Sequence, residues 1–337
     1  GGSYGGRGGN AFGGISNTEY GDYLLPTDFG SGGRYFNSSA LATRGGGTFK
    51  LVADELILDG EIRSNGQTKG SHHGGGSGGS IWLDVGSLSG SGRINANGGQ
   101  GSSGGTTGGG GGGRIAIYYD AVSGFDLSAV RALGNTGSDS AGRAGAGTVY
   151  YKDNTTSETH LTFVGIGSNT ATTTFNDTIT ADVEVTLNNV TLALNSDLSS
   201  VSTITGSKLI MQGNLSNVTA INESNVTLKG NWAITDLALV NSSVGQSQGS
   251  ISSNDGVLSL DNSTLSVGVM ALSASVQLWK TVTLINGSKL HHATPTVDEV
   301  STHKGITWDV DSLSVDETSL IDVSGRGGFH RPGASGG

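Results

Sequence analysis

Residues 104–119 read GGTTGGGGGGRIAIYY, six consecutive glycines running straight into a β-branched and aromatic strand. Glycine loses more chain entropy on ordering than any other residue, so such a run asks for a structural reason. The same boundary recurs along the chain. Gly47-Thr48-Phe49, Gly79-Ser80-Ile81, Gly113-Arg114-Ile115 and Gly147-Thr148-Val149 follow one another at steps of 32, 34 and 34 residues. Each opens a short strand (FKLVA, IWLDV, IAIYY, VYYK), and in the first three units a second strand follows in LILDGEI, LSGSGRI and LSAVRAL. A glycine-rich tract then closes the unit, and no helical period interrupts it. The repeat is strand, strand, glycine tract.

A related unit returns as GITWDVDSLSVDETSLIDVSGRGGFHRPGASGG, residues 305–337. Its closing tract continues naturally into GGSYGGRGG, the stretch with which residue 1 begins, so the chain reads as one period of a tandem array cut inside a glycine tract. The middle has another texture: 11 glycines fall between 151 and 305, against 43 between 1 and 150. Serines 207, 224, 242, 263 and 288 stand 17, 18, 21 and 25 residues apart, each followed two positions later by Leu or Val. Alternation of this kind marks strands with one buried face, and a loose repeat near 20 residues suits one turn of a β-solenoid.

These features predict an all-β chain, a right-handed parallel β-helix with long glycine-rich loops projecting on one side. Three segments are expected: strand-and-glycine rungs over 1–150, compact rungs over 151–305, and a returning glycine-loop rung over 306–337. About a dozen rungs spaced by about 4.8 Å would make a rod of roughly 50–60 Å. Recurring at one place in successive rungs, the tracts 66–79, 98–113 and 134–147 would lie side by side and hydrogen-bond laterally, anchored by Tyr4, Arg7, Phe12 and Arg143.

Composition narrows the function classes. The formal net charge of −10, with no basic run, opposes nucleic-acid binding. Cysteine is absent, which excludes disulfides and thiolate metal sites. No apolar stretch approaches the roughly 20 residues of a membrane span. Gly1-Gly2-Ser3-Tyr4-Gly5 and Gly75-Gly76-Ser77-Gly78-Gly79 match a nucleophile-elbow pattern, but without the strand-to-helix context the chemistry needs.

Three sets of residues remain as candidates. Asp309, Asp311, Asp316 and Glu317 form the densest acidic cluster, a weak hard-oxygen set for Ca²⁺ or the solvated face of a strand. Trp82, Trp232, Trp279 and Trp308 are the aromatics that would dock a glycan. His72-His73 and His291-His292 point to opposite strand faces and do not chelate locally. Eleven N-x-S/T sequons, Asn189, Asn214, Asn225 and Asn262 among them, read as stacked polar residues of solenoid turns.

GGSYGGRGG, YGDYLLPTDFGSGG, GGGTFKLVADELILDGEIRSNG, GGGSGGSIWLDVGSLSGSGRINANGG and GGGGGGRIAIYY together resemble a glycine-rich module of very large secreted or surface proteins of bacteria. The resemblance covers residues 1 to about 120 and, more weakly, 305–337. It implies an extracellular, multi-module chain and transfers no catalytic residues. The expectation is a non-enzymatic structural module, a stalk, adhesin or fibre subunit whose partners are neighbouring copies joined head-to-tail. The alternative is a glycan-binding or glycan-cleaving β-helix.

Overall fold

The computed structural model describes residues 1–10, 14–34, 42–70, 72–102, 107–137, 142–166, 171–179, 183–195, 197–198, 203–246, 251–253, 255–267, 277–292 and 308–324. The chain is all-β with long parallel sheets. It divides into two compact units, Gly1–Asn195 with Thr205–Leu209, and Ser196–Ile204 with Ile210–Gly337.

The first unit contains β1 (Thr48–Ile57), β2 (Glu61–Arg63), β3 (Ser80–Ser89), β4 (Arg93–Asn95), β5 (Arg114–Ser123), β6 (Val130–Arg131), β7 (Thr148–Asp153), β8 (Thr159–Val164), β9 (Thr173–Phe175), β10 (Val183–Asn188) and β11 (Thr191–Leu194). Strands one repeat apart pair in parallel, setting Phe49 beside Ile81, Ile81 beside Ile115, and Ile115 beside Val149. β2, β4 and β6 form a second, three-stranded sheet. Because side chains alternate along a strand, Ile81, Leu83, Val85, Ile115, Ile117, Val149 and Tyr151 share one face and pack with Ile94 and Val130 of the small sheet. The segment LSAVRAL is only partly strand. Its Leu127–Ala129 is a 3-10 turn, capped by Asp126 accepting from the Ser128 amide, and the strand β6 is two residues long.

One expectation is corrected. Pairing is not parallel throughout, since β7 and β8 are antiparallel, with Tyr150 opposite Leu161. Asp153 turns the chain between them: its Oδ1 accepts from the Thr155 and Thr156 amides at 2.7 and 3.0 Å. Residues directly opposite in an antiparallel pair share a face. Leu161 and Phe163 therefore lie on the Tyr150 side, opposite the face of Ile115, Ile117 and Tyr151. At this point both the strand direction and the buried face reverse. The new core forms around Phe163 and Phe175, whose rings meet edge-on at 5.2 Å, and Tyr23, which is 5.3 Å from Phe175 and 5.6 Å from Tyr150. β7 and β8 thus pair across residue 150, where the glycine content falls.

β12 (Thr203–Thr205) and β13 (Lys208–Met211) come where the units interleave along the chain. The second unit continues with β14 (Leu215–Ser216), β15 (Ala220–Asn222), β16 (Asn225–Leu228), β17 (Trp232–Ile234), β18 (Leu237–Val240), β19 (Ser243–Gln246), β20 (Ile251–Ser253), β21 (Gly256–Asp261), β22 (Thr264–Val267), β23 (Gln277–Ile285), β24 (Lys289–His292), β25 (Trp308–Val315) and β26 (Leu320–Asp322). Among the described residues its strand pairs are parallel. Ile221, Leu239, Leu260 and Leu284 form one buried row across β15, β18, β21 and β23. Val226, Val244, Leu265 and Leu290 form another across β16, β19, β22 and β24.

The periodic serines mark the corners of this unit. Ser224, Ser242 and Ser263 donate their amides to the hydroxyls of Ser242, Ser263 and Ser288 at 3.1, 3.0 and 3.1 Å. Ser288 passes its own amide to Ser319 at 2.9 Å. The residue before each of the four ladder serines (Glu223, Asn241, Asn262, Gly287) takes a positive φ, the left-handed turn that Asn and Gly tolerate best. Asn262 also stacks on Asn241 through an amide bond of 2.8 Å. These sequon asparagines hold turns.

Candidate functional site

The glycine tracts of the first unit form a hydrogen-bonded lattice of extended segments. Outgoing segments 64–67, 96–101 and 131–136 leave the small sheet. Returning segments 74–79, 108–113 and 142–147 lead into β3, β5 and β7. The amino-terminal segment 1–9 lies against the returning set. Successive returning segments run parallel: Gly75 and Gly78 donate to Gly108 and Gly111 (3.0 and 2.9 Å), and Gly109 and Gly112 donate to Gly142 and Gly145 (2.7 and 3.1 Å). Each returns antiparallel to its own outgoing segment, as in Gly110 to Gly99 (2.8 Å) and Gly113 to Ala96 (2.7 Å). The amino-terminal segment is also antiparallel to 108–113, with Gly6 donating to Gly112 (2.8 Å) and Gly9 to Gly109 (2.9 Å).

These bonds repeat at every third residue, the period of the polyproline II helix, which has no internal hydrogen bonds of its own. Along 109–113, amides 109 and 112 face segment 142–145, amides 110 and 113 face 96–99, and amide 111 faces Gly2 at 2.9 Å. One turn thus bonds in three directions, which satisfies buried backbone groups that a lone loop would leave unpaired. It also explains the six glycines. A methyl built on Gly110 overlaps the Gly76 carbonyl, and one on Gly75 overlaps the Gly99 carbonyl. With neighbours on three sides, only hydrogen fits.

Arg114, the first residue after the run, pins the lattice to the sheet. β5 turns it to the face opposite Ile115, where its side chain is 4% exposed. Its Nε donates to the Tyr20 carbonyl at 2.9 Å, and a terminal nitrogen lies 3.5 Å from Thr148 Oγ1 and 3.8 Å from Asp177 Oδ2. The guanidinium stands 5.8 Å from the Tyr4 ring centroid. Burial pulls the Arg114 pKa down, opposed chiefly by Asp177, while burial raises the Asp177 carboxyl despite Arg114. Both shifts are set first by lost hydration, so the pair is held by its surroundings more than by its own attraction.

Tyr4 is fully buried, and burial lifts its pKa to about 12. Its hydroxyl meets Ser80 Oγ at 2.6 Å, and Ser80 Oγ lies 2.6 Å from the Asp28 carbonyl. A serine hydroxyl has one proton, and the carbonyl can only accept, so Tyr4 donates to Ser80. Glu19 accepts from the Thr174 amide at 2.7 Å, and burial raises its pKa. The arrangement clamps the amino-terminal segment over the sheet. Sequence reading took Arg114 only as a strand opener; a lone cation between polyglycine and IAIYY was the available signal for a buried role.

The structure separates the other candidates. Trp232 and Trp279, expected among sugar-facing aromatics, are core residues at 0% and 2% exposure. Trp232 lies between Leu215 and Ile251, and Trp279 occupies the space beside Gly256. Trp82 is half-buried near Tyr118, and the Lys50 ammonium lies 4.3 Å from its ring centroid. The side chains of Trp308 and Asp309 lie outside the described residues. Asp311 and Glu317 are exposed.

Asp316 is committed to a turn, accepting from the amides of Asn286, Thr318 and Ser319 at 2.7, 3.0 and 2.8 Å. These bonds lower its pKa to about 2. Among the described residues no cluster of three or more His, Asp or Glu has metal-holding geometry. Within the described residues, β25 and the turn after it hold Asp311 and Glu317 exposed and commit Asp316 to backbone amides. His73 Nδ1 lies 2.7 Å from the Gly70 carbonyl, and the His72 amide donates to Ser102 at 2.8 Å. No family model, curated protein or solved structure matches the chain.

Proposed function

We propose that this chain is a non-enzymatic structural module of a large extracellular protein or filament, built as a right-handed parallel β-helix. The observation that carries the reading is the lattice itself. Glycine loops of 14 to 16 residues are costly to order, yet here their amides bond in three directions and close a second layer beside the strands. Such an investment suits a segment that bears load, because extending it requires many backbone bonds to shear together. One winding hand serves the first unit throughout, since at β7 and β8 strand direction and buried face invert together and the two inversions compensate. Right-handedness follows the preference of parallel β connections. Secretion and a surface location belong to the same proposal.

Pulling single molecules tethered at both ends tests it. The first unit should resist as one body and release the glycine tracts only when its strands yield. Gradual low-force lengthening, with the tracts paying out like free coil before any strand ruptures, would remove the load-bearing role.

A further inference from the structure

Both ends of the strand order carry open, apolar edges. β1 and β2 are terminal in their sheets, as are β25 and β26. Phe49 of β1 is 41% exposed, whereas Ile81 beside it in β3 is at 0%, and Val52 and Ile57 of β1 are 67% and 63% exposed. Leu313, Val315, Leu320 and Ile321 are 39–48% exposed. Exposed strand edges of this kind recruit further strands.

Resting on the structural-module reading, we propose that β25 and β26 of one copy of this chain add in parallel to β1 and β2 of a second copy. Three observations single out this occupant. The ladder breaks match: β1 pairs with β3 up to Ala53 and again from Glu55, and β25 pairs with β23 up to Val310 and again from Ser312, so aligning the breaks fixes the register of β25 on β1. That register sets Val310 beside Ala53 and Leu313 beside Leu56, and the turn that follows brings Ile321 beside Ile62. Ala53, Leu56 and Ile62 already pack inward on the first unit's core.

It also matches charge: Asp322 falls opposite Arg63. Arg63 is 69% exposed and lies 3.9 Å from Glu61. Asp322 contacts Lys289 at 3.0 Å and accepts from the Ser324 amide, with lone pairs remaining for a second cation. Finally, β25 repeats the sequence of a strand that is flanked on both sides. Residues 309–314 read DVDSLS and residues 84–89 of β3 read DVGSLS, and β3 lies between β1 and β5. The contact uses different surfaces on the two molecules, so it does not close on itself and propagates.

Sedimentation velocity over a concentration series, on the whole chain, tests the register. Wild-type protein should show open-ended, concentration-dependent association. Arg63→Asp and Asp322→Arg should each weaken it by about tenfold, since each leaves like charges opposed. Mixing the two variants restores opposite charges at every junction and should restore association. Val52→Glu, at an exposed site where the fold is indifferent to the change, sets a carboxylate against the acidic strand β25 and should also weaken it. Wild type that stays monomeric at all concentrations, or a mixture no better than its parts, overturns the proposal. Single-molecule pulling separates the outcomes: a monomer that still resists force loses only the docking, and a soft chain that still associates loses only the load-bearing role.

Discussion

At Gly110 an added methyl meets the Gly76 carbonyl, and backbone on both sides leaves it nowhere to move. Gly110→Ala should cost about 1–3 kcal/mol by overpacking, read as a lower midpoint in chemical denaturation. Gly47→Ala is the control, because nothing lies within 4 Å of a Cβ there; its midpoint should stay near wild type. The buried phenols make a second residue-scale test. Burial raises the pKa of Tyr4 to about 12 and raises Tyr118 and Tyr151 as well. Above the ordinary tyrosine value of about 10, the unfolded chain releases protons that the folded chain retains. Stability of the first unit should therefore fall as pH rises from about 10 toward 12. Phenolate absorbance should show these groups ionising only as the unit opens. Titration of all eight tyrosines at the ordinary value, with the fold intact, would contradict their burial.

The serine ladder and the Asp316 turn belong to the scale of single elements. Ser242 accepts from the Ser224 amide at 3.1 Å and bonds the Ile221 carbonyl at 2.9 Å. Ser242→Ala leaves a buried amide without its acceptor and should cost about 1–2 kcal/mol, measured by thermal unfolding. Asp316 gathers three backbone amides, and hydrogen bonding led by Ser319 and then the Asn286 amide depresses its pKa to about 2. Between the unfolded carboxylate value and that lower one, the unfolded chain binds more protons. The contribution of Asp316 is then present above about pH 4 and lost as pH falls toward 2. Asp316→Asn should lower the second unit's unfolding temperature at neutral pH, with the gap to wild type closing near pH 2. The ladder was legible beforehand, because a serine at a corner must recur whenever the chain completes a turn. The 3-10 turn at Leu127–Ala129 was not, since LSAVRAL has strand propensity and only the Asp126 cap settles it otherwise.

On the scale of the molecule, hydrogen exchange reads the glycine lattice directly. Amides of Gly75, Gly78, Gly109 and Gly112 should exchange as slowly as those of β3 and β5, since each has a carbonyl partner within 3.1 Å. Fast exchange at all four amides would return these tracts to free loops. The reversal at β7 and β8 is the large feature that sequence reading missed. Tyr150 and Tyr151 are both apolar enough to face a core, so the alternation that usually reports the buried face is silent there. The choice is made by what covers each side, with Tyr151 meeting the Ile115 face and Tyr150 meeting Tyr23.

The amino-acid sequence by itself determined the repeat, its strand positions, the parallel pairing one repeat apart and the need for glycine, because periodicity and steric size are local properties. Tertiary structure decided which faces are buried, why Arg114 is charged yet enclosed, and why Trp232 and Trp279 belong to the core. Those depend on which distant segment arrives to cover a side chain, and residue spacing carries no record of that.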